Sequence, residues 1–290
     1  SSDLAMMREI LMESRLDDEK RLKEILAMLK SRLQMSFQSS GHTTSALRAL
    51  SYGSPLSKFK DDTDGIGFYE VVRDIEEHFE EKKAELIQNL KQLSRQIFRV
   101  DNVMISYTSS EDGLAPMEAA FREIKDTLYP ELDGEEIPCV LHGRKRNEGF
   151  KTSSKVQYVA RVGNFIDHGA QYHGALQILK VILSYDYLWQ NVRVKGGAYG
   201  CMSNFNRIGE GYLISYRDPN LKKTMEVYEG VVDYLKNFTV DERDMTKYII
   251  GTISNIDRPM NPAAKGDRSM NLYMNHVSQE MIRTERSQIL

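Results

Sequence analysis

The stretch Arg193-Val194-Lys195-Gly196-Gly197-Ala198-Tyr199-Gly200 divides a helical pattern from a hairpin pattern, and its reading decides how the second half of the chain folds. Paired glycines let a backbone take positive φ or come close to a neighbour. Arg193 offers a planar fork of donors suited to a carbonyl or carboxylate. Tyr199 offers one O–H, which can donate to an oxygen that is gaining charge. The competing reading is structural: an Arg and a Tyr flanking a tight turn. No nucleophile or metal motif accompanies these residues, so they read as part of a site and not the whole of one.

Working outward, Val156 to Val162 reads as a strand ended by Gly163-Asn164. A helix follows from about Ala170 to Gln190, with Tyr172, Ala175, Leu176, Leu179 and Leu183 on one face. Beyond the Gly-Gly segment, Tyr199 to Phe205 and Tyr212 to Arg217 form an antiparallel hairpin turned at Ile208-Gly209-Glu210-Gly211, and Asp218-Pro219 stops it. A helix from Leu221 to Leu235 comes next. Thr239-Val240-Asp241-Glu242 carries a capping-box signature. Asn261-Pro262 opens another helix, with Asn as N-cap and Pro at the first helical position, and Ser278 opens the last.

The first half reads as helix, helix, strand, helix. Leu22, Ile25, Leu26, Leu29 and Leu33 make one apolar stripe, and Phe68, Val71, Val72, Ile75 and Phe79 begin a second that continues through Leu93. Val103, Ile105 and Tyr107 alternate as a strand does, before Met117, Ala120, Phe121, Ile124 and Leu128 return to helical spacing. One strand is too few for a sheet, so this region is expected to lack strands of its domain. Residues 131–152, with scattered Pro and Gly and no period, read as a linker.

The bulk numbers exclude several classes. The chain has 290 residues, 41% hydrophobic and 28% charged, with a net charge of −3 and a pI near 6.1. That is enough apolar material for real cores, and it shows no basic face for nucleic acid. Cys139 and Cys201 are far apart and make no CxxC pair, so a reducing, intracellular and by default cytoplasmic compartment is expected, or an organelle if a targeting segment has been removed. No run reaches the ~18 apolar residues that span a bilayer. His42, His78, His142, His168, His173 and His276 form neither HExxH nor HxxEH, so no metal ligand is assigned, and His173 reads as a packed residue. The glycines make no P-loop and no GxGxxG turn, and there is no GxSxG elbow.

From about Thr152 the order of motifs resembles a known family. Ser154-Lys155-Val156-Gln157-Tyr158-Val159, Tyr172-His173-Gly174-Ala175-Leu176, Leu183-Ser184-Tyr185-Asp186-Tyr187-Leu188-Trp189, the Arg193–Gly200 stretch, Ile256-Asp257-Arg258-Pro259 and Ala264-Lys265-Gly266 follow one another as in the C-terminal half of the pitrilysin/insulinase zinc metallopeptidases, specifically the presequence-protease branch that includes falcilysin. Arg48 to Pro55 and Gly65 to Tyr69 also fit that half. The resemblance implies an α+β fold of two related α/β domains, the first helix-rich and partial over 1–130, the second over 153–290. It implies a full enzyme that is a clamshell, with zinc and its general-base glutamate in an N-terminal half outside this chain. It also implies that Arg193 and Tyr199, shaped by Gly196 and Gly197, contact a peptide substrate in the chamber between the halves. The chain alone is then expected to be inactive and free of zinc, with peptide and the N-terminal half as partners and neither nucleic acid nor membrane. A non-catalytic scaffold and a peptide-binding module are the alternatives.

Overall fold

The computed structural model describes residues 2–131, 141 and 146–290. Much of the expected linker, with Cys139, His142, Arg144 and Lys145, lies outside the described residues. The described chain is α+β, dominated by helices and carrying a small antiparallel sheet. By compactness it divides into two units.

One unit gathers the described residues of 1–30, 72–138 and 259–277. It is built from helices: α1 (Ser2–Glu13), part of α2 (Glu19–Ser39), the end of α5 (Ile66–Glu77), α6 (Phe79–Ile97), α7 (Leu114–Lys125) and α12 (Pro262–Met274). Leu26, Val72, Phe79 and Leu128 are its buried apolar residues. Charges knit the faces of α2 and α6: Lys83 with Glu19, Lys91 with Asp17 and Lys23 with Glu80, while Lys30 reaches Glu76. The second apolar stripe is two helices, because the chain breaks at His78, whose φ of −115° and ψ of 35° leave the helical region. The strand expected over Val103–Tyr107 is absent. Residues 103–106 are exposed on both sides of the alternation, and no neighbouring strand pairs with them among the described residues. An alternating pattern makes a strand only when a partner takes up its backbone donors and acceptors.

The other unit gathers 31–71, the described residues of 139–258, and 278–290. Its sheet runs in the order β1 (Ala160–Asn164), β3 (Glu210–Tyr216), β2 (Gly200–Phe205), all antiparallel, with Ala160 opposite Ile214 and Gly200 opposite Tyr216. The hairpin forms as its alternation predicts, turning at 206–209, where Gly209 has φ of 89°. Gly163 and Asn164 continue β1 instead of ending it, paired with Gly211 and Glu210. Gln157 meets the sheet through a single bridge to Asp218.

Helices α3 (Gly41–Leu50) and α4 (Pro55–Asp64) accompany the sheet in this unit, and α3 packs on β1 and β3. Ser54 caps α4 with Pro55 in its first turn, as the turn residues require. Asp61, fully buried, accepts from the backbone N–H groups of Ile66 and Gly67 and from Arg48, tying the start of α5 to α3. The expected 170–190 helix is α8 (Ala175–Ile182), and the chain then widens into two π-helical turns, Leu183–Tyr187 and Trp189–Val194. The expected 221–235 helix is interrupted at Gly230, giving α9 (Lys222–Glu229) and α10 (Val231–Lys236). A Cβ at Gly230 would meet the Tyr187 hydroxyl at 2.6 Å, so the glycine makes room for that ring. In α11 (Glu242–Ile256) the N-cap is Asp241, whose side chain accepts from Asp244 N, and not Thr239 at the head of the capping box. Asn261 caps α12 and Ser278 caps α13 (Gln279–Ile289), both as read from sequence.

Val159, Leu188, Val192, Ala198 and Tyr228 form the core beneath the sheet, with Tyr187, Cys201, Leu213 and Met225 packed against them. The polar atoms at this centre are paired: Val159 N donates to Ser215 Oγ and Tyr228 Oη donates to Val159 O. Two core members, Val192 and Ala198, bracket the Arg193–Gly197 turn, so burial of its ends fixes where that turn emerges.

Candidate functional site

The turn begins in the second π-helical segment. Lys195 N donates to Gln190 O, one residue further back than in an α-helix. The widened helix brings Trp189 and Arg193 together, and the guanidinium carbon stands 3.8 Å from the indole ring centre. This is stacking geometry, which holds a guanidinium flat on an aromatic face. Arg193 Nε donates to the Tyr199 carbonyl at 3.0 Å. Its terminal nitrogens have no hydrogen-bond partner among the described residues.

The two glycines are needed for different reasons. A Cβ on Gly196 would lie 2.3 Å from the Val192 carbonyl oxygen, so only hydrogen fits. Gly197 has φ of 80°, where side chains are strained. Gly197 N donates to Arg193 O and Ala198 N to Val192 O, closing the turn. From outside, Asn220 Nδ2 donates to Gly196 O at 2.6 Å. Asn220 is itself placed by Asp218, which is fully buried; its carboxylate accepts from Asn220 N at 2.8 Å and from the Thr224 hydroxyl at 2.7 Å.

Tyr199 follows the turn with 69% of its surface exposed. Its N–H donates to Tyr216 O at 3.0 Å and is shared with Arg217 O at 3.3 Å. Its ring meets Tyr216 edge-on, centres 5.8 Å apart at 72°. Thus Arg193, Gly196, Gly197 and Tyr199 lie together in one backbone feature, with a half-buried cation and an exposed phenol presented from it. Two cavities, about 510 Å³ beside Asp186, Tyr187, Tyr234 and Phe238 and about 280 Å³ beside Tyr172, Arg207 and Glu285, are lined by other residues.

Cys201, one strand residue past the turn, is half-buried, and burial pushes its thiol up to about 11. It is a packing residue, not a nucleophile at neutral pH. His173 is exposed and not packed; its Nδ1 accepts from Ala175 N at the start of α8. No group of three or more His, Cys, Asp or Glu among the described residues can hold a metal ion. The described residues therefore do not fit a zinc site, and no step of chemistry in this chain runs through one. No described helix is long and apolar enough to cross a membrane.

Trp189, Tyr216, Asp218 and Asn220 were not singled out from sequence. Asp218-Pro219-Asn220 carries a turn signal that identifies a strand end but not its reach back to Gly196. Trp189 and Arg193 are four apart, a spacing that places them on one helix face.

Comparison with known proteins gives this geometry a context. The family described as "PreP C-terminal domain" matches residues 147–290, and the family of regions associated with subfamily C of the M16 peptidases matches residues 2–75. Protein HypA of Clostridium perfringens (strain 13 / Type A) is 38% identical over 99% of this chain and 29% of its own length. Presequence protease 1, chloroplastic/mitochondrial, of Arabidopsis thaliana is 28% identical over 98% of this chain and 26% of its own. The mitochondrial presequence protease of Xenopus tropicalis is 23% identical over 97% and 30%. The chain thus spans less than a third of the length of these relatives. The two matched regions and the near-complete coverage by these relatives place the chain in the presequence-protease branch of the M16 (pitrilysin/insulinase) peptidase family, in the C-terminal half.

Proposed function

We propose that this chain is the substrate-clamping half of a zinc-dependent oligopeptide endopeptidase. The observation that carries the reading is the coupling of Arg193 to the Tyr199 carbonyl, which presents a stacked guanidinium and a free phenol from one braced turn. In this reading the terminal nitrogens of Arg193 donate to a substrate backbone carbonyl and keep the peptide extended. The Tyr199 hydroxyl donates to the oxyanion that develops at the scissile carbon. Gly196 and Gly197 give the main chain the path that both side chains need. The zinc and the glutamate base belong to the N-terminal half, where the metal would supply Lewis-acid polarisation and an activated water.

The domain division proposed with this function is a partial third domain over 1–130, a linker over 131–152 and a fourth domain over 153–290. The substrate class is peptide, and the partner is the N-terminal half of the same protein. An intracellular compartment is proposed, and an organelle agrees with the relatives named mitochondrial or chloroplastic.

The test is complementation. Mixing this chain with the zinc-bearing half is expected to restore cleavage of a quenched peptide that neither part cleaves alone. Peptide binding without cleavage would support a binding module instead, and neither binding nor cleavage a scaffold. In the full-length protein, Tyr199→Phe is expected to lower kcat by about 100- to 1,000-fold. An unchanged kcat rejects the oxyanion role.

A further inference from the structure

Tyr199 is an exposed phenol whose ring has one ring contact among the described residues, the edge of Tyr216. An exposed tyrosine samples several staggered rotamers. A donor that must meet an oxyanion gains from having one of them selected in advance. Tyr216 holds Tyr199 twice, since its carbonyl accepts the Tyr199 N–H and its ring meets the Tyr199 ring.

Tyr216 is in turn the centre of an aromatic cluster. The His42 ring from α3 meets it edge-on, centres 4.8 Å apart at 71°, and Tyr158 lies 5.8 Å away. The Arg217 guanidinium stands 5.4 Å from the Tyr216 ring centre. Tyr158 is anchored by its own hydroxyl, which donates to Gln38 O at 2.6 Å. A Cβ on Gly41 would fall 2.2 Å from the Tyr158 ring, so the start of α3 is built to lie against it. The support behind Tyr216 therefore comes from α3 and the segment before β1, two parts of the chain distant in sequence from the turn.

We infer that Tyr216 is a positioning residue that selects the productive rotamer of Tyr199, with His42 and Tyr158 as its backing. The inference rests on the oxyanion role proposed for Tyr199. An edge-to-face aromatic pair biases a rotamer population by about 2- to 13-fold. Losing that bias lowers the fraction of enzyme with its donor in place, which reduces kcat and leaves ground-state peptide binding alone.

The experiment measures kcat and KM on a quenched peptide with the full-length protein and its Tyr216→Leu, Tyr216→Phe, Tyr199→Phe and Tyr199→Phe/Tyr216→Leu variants. Tyr216→Leu is expected to lose about 3- to 10-fold in kcat with KM within twofold. Tyr216→Phe keeps the ring and is expected to match the unmodified protein. The double variant should be no slower than Tyr199→Phe alone, because the residue being positioned has already lost its hydroxyl. A Tyr216→Leu protein of unchanged kcat, or a double variant slower than Tyr199→Phe by the full Tyr216→Leu factor, overturns the inference and leaves the oxyanion role standing. Unchanged kcat in Tyr199→Phe overturns both. If Tyr216→Leu does not fold, Tyr216→Ile, which suits a strand, must show the same pattern.

Discussion

Gly196→Ala sets two opposing effects against each other. Replacing glycine normally stabilises a protein by about 0.4–1 kcal/mol, because the unfolded chain loses freedom. Here the new Cβ would stand 2.3 Å from the Val192 carbonyl oxygen, whereas ordinary contact begins near 3.4 Å. About 1 Å of relief is needed, and the obstacle is backbone whose residue is core, so no flexible side chain can yield. Overpacking of this kind costs about 1–3 kcal/mol. The net expectation is a loss of about 1–2 kcal/mol and a thermal midpoint lower by about 2–8 °C. Gly251→Ala is the control: it lies within α11, a Cβ there meets nothing within 4 Å, and helix propensity should raise stability by up to about 1 kcal/mol. The same 1 Å shift moves the carbonyl of Tyr199 relative to the Arg193 guanidinium. A misplacement of that size costs about 100-fold in turnover. Calorimetry and peptide-cleavage kinetics on the two variants of the full-length protein read both effects. A Gly196→Ala protein as stable and as active as the Gly251→Ala protein would refute the steric argument.

Three further outcomes are expected. Asp61→Ala removes a buried carboxylate that pairs with Arg48 and receives two N–H groups at the start of α5; Arg48 keeps Glu148, so the loss in chemical denaturation should sit near the low end for a broken buried pair, about 3 kcal/mol, and a loss under 1 kcal/mol would contradict it. Burial lowers the pKa of His42 below its ordinary 6.5, so the unfolded chain binds the proton first: stability should be full above pH 6.5 and fall as the pH drops from there through the folded value, and His42→Phe should flatten that part of the thermal-midpoint profile. The Cys201 thiol, pushed up to about 11 by burial, should react with iodoacetamide in the native protein far more slowly than in urea at pH 8, and equal rates would show that the strand is open.

Periodicity alone placed most helices, because an apolar stripe such as Leu22 to Leu33 has to be buried somewhere. Caps were legible where the residue acts on its immediate neighbours, as at Asn261 and Ser278. Asp241 displaced Thr239 because an ionised carboxylate is at least as good an N-cap and stands directly before the helix. Val103 to Tyr107 misled because a strand is a property of two segments, and the alternation shows only one. The π-helical turns carry no periodic signature of their own, so the widening that brings Trp189 beneath Arg193 was illegible. The site's chemistry was legible in the Arg193–Gly200 stretch. Its supports, Asn220 and Tyr216, act across long sequence separations that no local pattern encodes.

The bond from Arg193 to the backbone of Tyr199 makes the cation and the phenol a single lever with its fulcrum at Gly196. Attempts to retune one by substituting its immediate neighbours will drag the other along. Libraries aimed at altered selectivity are better spent on Trp189, which touches the cation alone, or on Tyr216, which touches the phenol alone. Those two rings are independent handles on a pair that is otherwise mechanically locked.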